Sequence, residues 1–153
     1  MQIRPASTPA DISLARGLFE EYADWLRVDL CFQRFAEELA GLPGLYGPDQ
    51  GRLLLGWTEG RAVGCVGVRP LKAPVCEMKR LFVRPAFRGQ GIGRCLAKRA
   101  VEEARAIGYC MMKLDTLPAM GNAIKLYEEL GFVRCGAYYD TPLADTIFME
   151  LKL

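Results

Sequence analysis

The chain has 153 residues, of which 51% are hydrophobic and 25% charged, and its formal net charge at pH 7 is +2. This length and composition are typical of one ordinary globular domain over residues 1–153 that needs no metal or disulfide for support. The small net charge argues against a general nucleic-acid-binding protein, and no apolar run reaches the roughly 20 residues of a membrane span. The start of the chain carries no signal-type apolar segment, which predicts a cytoplasmic protein.

The sequence contains no histidine and six cysteines. Without histidine, Ser-His and Cys-His nucleophile pairs are excluded and zinc would have only dispersed thiols and carboxylates, so we expect no metal. The cysteines form no C-x-x-C pair and lie mostly in apolar patterns, which favours buried structural thiols. Any chemistry must therefore use carboxylates, tyrosine, the backbone or a bound cofactor.

The first third of the chain carries one strand signal and two helix signals. MQIRPAS is predicted as a short edge strand, and STPADISLARGLFEEYADWL as a helix capped by Ser7 or Thr8. CFQRFAEELAGL is predicted as a second, weaker helix that stops at Gly41 and Pro43.

The middle of the chain changes to strand-like patterns before helical spacing returns. GRLLLGWTEGRAVGCVGVRPL predicts two strands joined by a turn at Glu59 and Gly60, and VCEMKRLFVRP predicts a third strand. Apolar residues then recur at helical spacing from Gly91 to Ile107, with Gly108 as the stop.

The last third begins with YCMMKLDTL, which is predicted as a strand. PAMGNAIKLYEELG follows as a helix with proline at its start and glycine at its end, and FVRCGAYYD and TIFMELKL are predicted as the last strands. Strands that follow each other directly should pair antiparallel, while the strand-helix-strand unit should be parallel. The sequence therefore predicts an α/β (α+β) fold with a mixed, mostly antiparallel sheet of about seven strands and helices on both faces.

Positive charge is concentrated around one glycine-rich segment, RGQGIG. Residues 79–113 contain nine Lys or Arg against Glu102 and Glu103. One interpretation is a solvated helix face; a polyanionic ligand is the sharper alternative for the arginines that bracket the segment. Those arginines are Arg80, Arg84, Arg88 and Arg94.

RGQGIG, from Arg88 to Gly93, lies where a predicted strand ends and a predicted helix begins. A helix N-terminus presents free amide hydrogens and partial positive charge, so it can bind a phosphate. Glycine lets the backbone reach the anion and permits positive φ where a nest of amides requires it. A dinucleotide fingerprint fails because Arg94 or Leu96 stands where its last glycine should be, and a P-loop fails because the chain has no Gly-Lys pair.

The spacing that does fit is R-x-x-G-x-G, carried by Arg88, Gly91 and Gly93. In this context the sequence resembles the GCN5-related N-acetyltransferase (GNAT) superfamily, and the later segment LYEELGF adds to the resemblance. The likeness covers about residues 1–153, most strongly residues 75–133. It implies a single GNAT-like acetyltransferase domain, a splayed parallel strand pair at the centre of the sheet, and acetyl-CoA (coenzyme A) as the co-substrate.

The resemblance also implies where coenzyme A would bind. Amides of the glycine loop would hold the pyrophosphate, and the backbone of the preceding strand would pair with the pantetheine arm, while the side chains of Leu81 and Val83 are expected to be core. The implied cofactor-binding residues are Leu81, Phe82, Val83, Arg88, Gly89, Gln90, Gly91, Ile92, Gly93 and Arg94. The chain departs from the family at Met120, where a cofactor-contacting asparagine is frequent; Asn122 is out of register.

Glu77 is the candidate general base, because the histone-acetylating branch of the family places its base glutamate there. A carboxylate of ordinary pKa, ~4.3, is a weak base and would need burial or a water relay. The alternative is an ion pair with Lys79 or Arg80.

Simple strand alternation predicts which neighbours share a face with Glu77. It places Glu77, Lys79 and Leu81 on one face, and Met78, Arg80 and Phe82 on the other. The pairing with Lys79 is thus geometrically easy.

Tyr127 is the candidate proton donor, since it matches the tyrosine that many family members use to protonate the leaving thiolate. A core tyrosine is the alternative, because Met120, Ala123 and Leu130 share its helical face. We expect the larger contribution to catalysis from holding the two reactants together and from a strand amide directed at the developing oxyanion.

The sequence therefore predicts an N-acetyltransferase that passes an acetyl group from acetyl-CoA to a primary amine of a small molecule, by direct attack in a ternary complex. The alternatives are a protein lysine or N-terminal acetyltransferase, and a non-catalytic acyl-CoA-binding regulatory module. No nucleic-acid or membrane partner is expected, and a homodimer is compatible with the resemblance. The candidates for acceptor contact are Trp25, Phe32, Phe35, Tyr46, Tyr138, Tyr139 and Asp140.

Overall fold

Seven strands form one mixed sheet in the computed structural model, which describes the backbone of residues 1–153 and every side chain except that of Phe32. The strands are β1 (Gln2–Pro5), β2 (Arg52–Thr58), β3 (Arg61–Pro70), β4 (Val75–Val83), β5 (Met111–Thr116), β6 (Val133–Cys135) and β7 (Ile147–Lys152). Their order across the sheet is β1-β2-β3-β4-β5-β7-β6, and the pairs are antiparallel except for β4 and β5, which are parallel. The predicted fold class is confirmed. Phe32, an expected acceptor contact, lies outside the described side chains.

Four α-helices connect the strands. They are α1 (Pro9–Leu26), α2 (Phe35–Ala40), α3 (Ile92–Ile107) and α4 (Gly121–Glu129). The predicted second helix is wrong in extent: Arg34 has a left-handed φ of 56°, so a single 3₁₀ turn and the short α2 replace one continuous helix. Helix α4 also begins three residues later than Pro118, at Gly121.

The two faces of the sheet carry separate hydrophobic clusters. Alternating residues of β2 show this directly, because Leu53 and Leu55 belong to the cluster that contains Phe19 of α1, whereas Leu54 belongs to the cluster that contains Leu96 of α3. All four of these leucines are 3% exposed or less. Helices therefore cover both faces, as the sequence predicts.

Helix α1 begins with a reciprocal capping box. Thr8 accepts a hydrogen bond from the Asp11 amide at 3.1 Å, and the Asp11 carboxylate accepts from the amides of Ser7 and Thr8 and from the Arg4 guanidinium. Burial alone would raise the pKa of Asp11, but these donors, the Ser7 amide first, lower it from 3.8 to about 2. The carboxylate is thus more stable in the folded than in the unfolded chain.

Replacing Asp11 by asparagine is expected to lower the free energy of unfolding at pH 7 by about 1–2 kcal/mol. Because the folded pKa is depressed, the contribution of Asp11 is present above pH 3.8 and is lost as the pH falls toward 2. Urea unfolding of both proteins between pH 2 and 7 should show the difference shrinking in that window. Asp24→Asn, at an exposed position of the same helix, is the control and should leave stability unchanged.

The parallel pair opens partway along its length. β4 and β5 are paired only where Val75–Glu77 face Met111–Lys113, although β4 continues to Val83 and β5 to Thr116. Beyond Glu77 the edge of β4 that faces β5 makes no ladder with it. The two strands are splayed there, at the centre of the sheet.

A β-bulge interrupts β4 at the same level. Between the pairs Cys65–Phe82 and Gly67–Lys79, β4 contains one residue more than β3, and Arg80 has a left-handed φ of 60°. The extra residue reverses the alternation that the sequence predicts, so Phe82 packs in the α1 cluster and Leu81 against the α3 cluster.

The predicted sharing of faces along β4 is therefore wrong after Lys79. Lys79 Nζ and Arg80 Nη1 both contact Oε1 of Gln33, at 3.2 and 2.8 Å, so these two consecutive side chains lie on one face. Glu77 does share the face of Lys79, as expected, with 3.9 Å between Nζ and Oε2. The bulge thus gathers two cations on the face of Glu77, where regular alternation would place one.

The expectation of buried thiols is only partly correct. Cys65 and Cys76 are buried, Cys31 and Cys110 are exposed, and the other two cysteines are intermediate. Among the described residues no helix is both long and apolar enough to span a bilayer. The cytoplasmic location stays a prediction.

Candidate active site

The glycine loop lies between β4 and α3, with Gly91 as the residue that caps the helix. Gly89 and Gly91 both have a φ of 79°, and a Cβ atom built on either would meet nothing within 4 Å. Left-handed backbone, and not lack of space, is thus what these two positions require of their residues. The loop amides precede and open α3, where the positive end of the helix dipole lies.

A groove runs beside this loop, and we call it the loop groove. It is lined by the end of β4, the loop and the first turn of α4. The residues expected to bind coenzyme A all line it, except Gln90. Met120 and Asn122, the two residues at the departure from the family pattern, line it as well.

The arginines around the loop are less available to an anion than their positions in the sequence suggest. Arg88 donates to the carbonyl of Val83 at 2.8 Å and stacks over Trp25 at 4.3 Å, and Arg94 pairs with Glu129. Both of these arginines line the loop groove.

Arg80 and Arg84 do not line that groove, so the expectation that four arginines bracket the ligand is wrong for these two. Arg84 pairs with Glu21 at 2.8 Å. The bulge turns Arg80 toward α2, where its Nε lies 3.0 Å from the carboxylate of Glu38.

A second cavity lies where β4 and β5 separate, and we call it the splay cavity. β4 lines it with Met78 to Leu81, β5 with Asp115 and Thr116, and α4 with Tyr127 and with Met120, the residue that precedes the helix. Leu81 and Met120 line both this cavity and the loop groove, so the two spaces adjoin. A ligand held by the loop could therefore reach the splay cavity at its far end.

Tyr127 lies at the wall of the splay cavity and is 6% exposed. Its ring packs edge-on against Phe132, with centroids 5.8 Å apart, so it is a core residue as well as a cavity residue. Burial raises the pKa of the Tyr127 phenol, with a smaller contribution from Tyr22. The phenol is thus protonated at neutral pH.

Glu77 is 1% exposed and does not line the splay cavity. Its Oε1 accepts from Arg69 at 2.8 Å, its Oε2 accepts from the Tyr138 hydroxyl, and Lys79 stands 3.9 Å away. The ion pair weighed from the sequence is present, but Arg69 is the nearer partner. A role as base would require Glu77 to release one of these partners, and that role stays a prediction.

Charged residues that are distant in the sequence contact each other in the lining of the splay cavity. Asp115 accepts hydrogen bonds from Lys79 at 3.1 Å and from the Tyr139 hydroxyl at 2.7 Å, and Gln33 links Lys79 with Arg80. Burial alone would raise the pKa of Asp115, but the Lys79 ammonium and the Tyr139 hydroxyl lower it overall. Asp115 is therefore ionised at neutral pH.

Sequence reasoning missed Asp115, Gln33 and Glu38. One signal could have found Asp115, because a charged residue in KLDT stands at the end of a strand whose alternate residues are apolar. The sequence predicts Tyr138 and Tyr139 only as acceptor contacts, on a strand that includes them. The strand ends at Cys135, and the loop that follows brings both hydroxyls to the acidic side chains.

Three of the expected acceptor contacts line the loop groove or a pocket beside the splay cavity: Trp25, Tyr139 and Asp140. Trp25 lies in the loop groove, and Tyr139 and Asp140 line an open pocket that shares Leu143 and Thr146 with the splay cavity. Tyr46 is 3% exposed in the α1 cluster. Within the described part of the chain no three acidic or cysteine side chains come together as a metal site requires.

Comparison with known proteins identifies the family. The sequence model of the acetyltransferase (GNAT) family matches residues 14–132. An uncharacterized N-acetyltransferase of Schizosaccharomyces pombe is 37% identical over 155 aligned positions, which cover 100% of this chain and 95% of the relative.

Two solved structures share the fold. A candidate acyl-CoA N-acyltransferase from Klebsiella pneumoniae matches with a TM-score of 0.77 at 26% identity, over 99% of this chain and 97% of the other. A candidate acetyltransferase from Salmonella typhimurium, solved with its cofactor acetyl-CoA, matches with a TM-score of 0.72 at 24% identity, over 99% and 93% of the two chains.

A mixed sheet splayed at its one parallel pair, with a glycine loop at a helix start beside the opening, defines a class of acyl-CoA-dependent transferases. The chain belongs to the acetyltransferase (GNAT) family. It is accordingly an acyltransferase, an acetyl-CoA-dependent N-acetyltransferase.

Proposed function

We propose that this enzyme transfers the acetyl group of acetyl-CoA to the primary amine of a small molecule, with both substrates bound together. The observation that carries the proposal is the continuity of the loop groove with the splay cavity at Leu81 and Met120. The first space has the amides that suit a diphosphate, and the second has the ionisable groups that suit an amine. The Salmonella typhimurium structure, which shares the fold, was solved with acetyl-CoA as its cofactor, and this supports acetyl-CoA as the acetyl donor.

The backbone of β4 supplies the next part of the proposed site. From Leu81 to Val83 β4 is unpaired with β5, so backbone groups on that edge can pair with the peptide-like pantetheine arm, and the Val83 carbonyl already accepts from Arg88. An amide of this edge can also stabilise the oxyanion that forms when the amine attacks the thioester carbonyl. Holding the two reactants close together in the splay cavity supplies the rest of the rate acceleration.

The amine must be uncharged to attack, so the ammonium first loses a proton to water. The proposed reaction then forms a bond between the amine nitrogen and the acetyl carbon and breaks the bond from that carbon to sulfur. The nitrogen loses a second proton to water as the amide forms, and water restores any proton that Tyr127 gives up. Tyr127 gives a proton, or a strong hydrogen bond, to the departing thiolate. Transfer from a phenol of ordinary pKa, ~10, to a thiolate near ~8.5 is uphill by about 2 kcal/mol, and the raised pKa of Tyr127 makes it more so. Tyr127 therefore assists the departure and does not drive it.

Two segments that border the splay cavity favour a small acceptor over a protein. The splay cavity is bordered by residues near the end of α1, including Leu26 and Leu30, and by Leu143 and Thr146 of the late loop. A protein lysine or N-terminus would need an open groove at this place. The amine is therefore proposed to arrive through the space between these two segments.

A panel of small amines, incubated with acetyl-CoA and read out by free thiol, tests the proposed function. Release of thiol with a small amine, and not with peptides bearing lysine or a free N-terminus, supports it. Release only with peptides would show that the acceptor is a protein. Binding of acetyl-CoA with no thiol release from any amine or peptide would favour the non-catalytic regulatory module.

Tyr127→Phe is expected to lower the turnover number by roughly 10- to 100-fold, because proton donation commonly contributes about that much. Affinity for acetyl-CoA, measured by calorimetry, should change little. Tyr109→Phe is the matched control, since the Tyr109 hydroxyl bonds to the carbonyl of Gln50 and lines neither space. Native turnover in Tyr127→Phe would remove the assignment of Tyr127 as proton donor.

A further inference from the structure

The charged side chains that line the splay cavity carry both signs. They are Lys79, Arg80 and Asp115. A cavity built for a simple alkylamine or a polyamine would need only negative charge, because the acceptor enters as a cation near neutral pH. An acceptor whose only charge is its ammonium therefore has no group that can pair with a buried cation in the wall.

The surrounding network of charges is balanced as it stands. Its acids are Glu38, Glu77 and Asp115, and its bases are Arg69, Lys79 and Arg80. Their side chains are between 2% and 23% exposed, so an added unit of charge of either sign would be costly there. A ligand that carries one positive and one negative group adds no net charge.

Arg80 is the less available of the two cations. Its Nε and Nη2 donate to both oxygens of Glu38, at 3.0 and 3.1 Å, and its Nη1 donates to Gln33. Such a two-point pair with a carboxylate is strong and directional. Arg80 therefore serves the fold, and Lys79 remains as the cation that can take a ligand.

Lys79 and Asp115 pair with each other across the opening between β4 and β5. Their atoms Nζ and Oδ1 are 3.1 Å apart, and Asp115 lies two residues beyond Lys113, the last β5 residue paired with β4. Both side chains are mostly buried, at 4% and 14% exposed, yet both line the cavity. An acceptor with an ammonium and a carboxylate can separate the pair and restore each contact with its own groups.

We propose that the acceptor is a small amine that also carries an acidic group, as a free amino acid does, with Asp115 binding its ammonium and Lys79 its carboxylate. This inference rests on the proposed function. The ammonium held at Asp115 lies at the splay, beside the strand edge proposed for the thioester arm. The Tyr139 hydroxyl and the Gln33 amide hold Asp115 and Lys79 in place for this exchange.

Matched acceptors test the substrate class without any change to the protein. Each of a set of free amino acids is compared with its carboxamide, which keeps the amine and loses the negative charge, and with the amine that lacks the carboxyl group. The expected kcat/KM is roughly 10- to 100-fold higher for the amino acids, because a hydrogen bond between charged groups contributes about that much. Equal values within the matched sets would overturn the inference.

Variants then test the assigned residues. Lys79→Met should lower kcat/KM for amino acids by roughly 10- to 100-fold, mainly through KM, and should leave the carboxamides almost unaffected. Asp115→Asn should reduce kcat/KM for all three members of each matched set, because all of them carry the ammonium. Lys113→Met, at a lysine that lies outside the splay cavity and pairs with Glu150, is the matched control and should preserve the native preference.

The outcomes separate this inference from the proposed function. If no amine of any kind releases thiol from acetyl-CoA, the proposed function fails and the inference fails with it. If amines are acetylated but the carboxamides react as well as the amino acids, the inference alone fails. If Lys79→Met does not fold, the comparison of matched acceptors on the native enzyme still decides.

Discussion

Replacing Gly91 by aspartate is expected to lower the affinity for acetyl-CoA by roughly 100-fold relative to its replacement by asparagine. Both residues tolerate the left-handed φ of 79° at Gly91 better than others do, and both place their side chain in open space, since a Cβ there meets nothing within 4 Å. They differ by one negative charge at the start of α3. If the loop amides hold the diphosphate, only the aspartate repels it.

Calorimetric titration of acetyl-CoA into the two variants gives the comparison, and the gap should narrow as salt is added. Gly108, which caps the far end of α3 with a φ of 110°, supplies the matched control. Gly108→Asp and Gly108→Asn should both reduce stability and bind acetyl-CoA like the native enzyme. Equal affinities of the two Gly91 variants would show that the diphosphate is not held by this loop.

Replacing Arg80 by methionine is expected to lower the free energy of unfolding by about 3–5 kcal/mol, as is usual when one partner of a buried ion pair is removed. The Arg80 side chain is 2% exposed, and Glu38, 9% exposed, is its two-point partner. Burial alone would lower the pKa of Arg80, but Glu38 outweighs it and raises that pKa. Without Arg80, Glu38 keeps, among the described side chains, only a longer ion-pair contact to Arg69, 3.5 Å away.

Urea unfolding of the variant and of a control measures this cost. Arg34→Met is closely matched, because Arg34 also has a left-handed φ, 56°, and also pairs with a glutamate, but it is 81% exposed. Removing both partners, Arg80→Met with Glu38→Met, should be less damaging than Arg80→Met alone, since no buried charge is left unpaired. If Arg34→Met and Arg80→Met proved equally stable, the buried pair would not support the fold as described.

Much of the proposed cofactor site could be predicted from a short stretch of sequence. The left-handed glycines at positions 89 and 91, the strand before them and the helix after them depend on contacts within a few residues. For the same reason the sequence predicts a cap of α1 at Ser7 or Thr8, which the structure places at Thr8, and the stop of α3 at Gly108. The extent of helix α2 could not be predicted, because one left-handed residue, Arg34, interrupts an otherwise helical pattern.

The acceptor side of the site could not be predicted in this way. The hydrogen bond of Gln33 to Asp115 joins residues 82 positions apart, and that of Tyr138 to Glu77 joins residues 61 positions apart. A further reason for the wrong prediction is the bulge at Arg80, since EMKRLFV contains no glycine or other residue type that indicates a bulge. One inserted residue reverses every later side chain on a strand, so simple alternation put Arg80 and Leu81 on the wrong faces.

The sequence by itself determined the class of fold, the glycine loop at the start of α3 and the helix that carries Tyr127, since local backbone preference and hydrophobic period encode them. Only the tertiary structure decided that Glu77 is enclosed by Arg69 and Tyr138 and that Lys79 and Asp115 face each other in the splay cavity. Ion pairs between distant segments depend on which surfaces the packed sheet brings together. Which segments become neighbours depends on the whole chain, so no single stretch of sequence predicts these ion pairs.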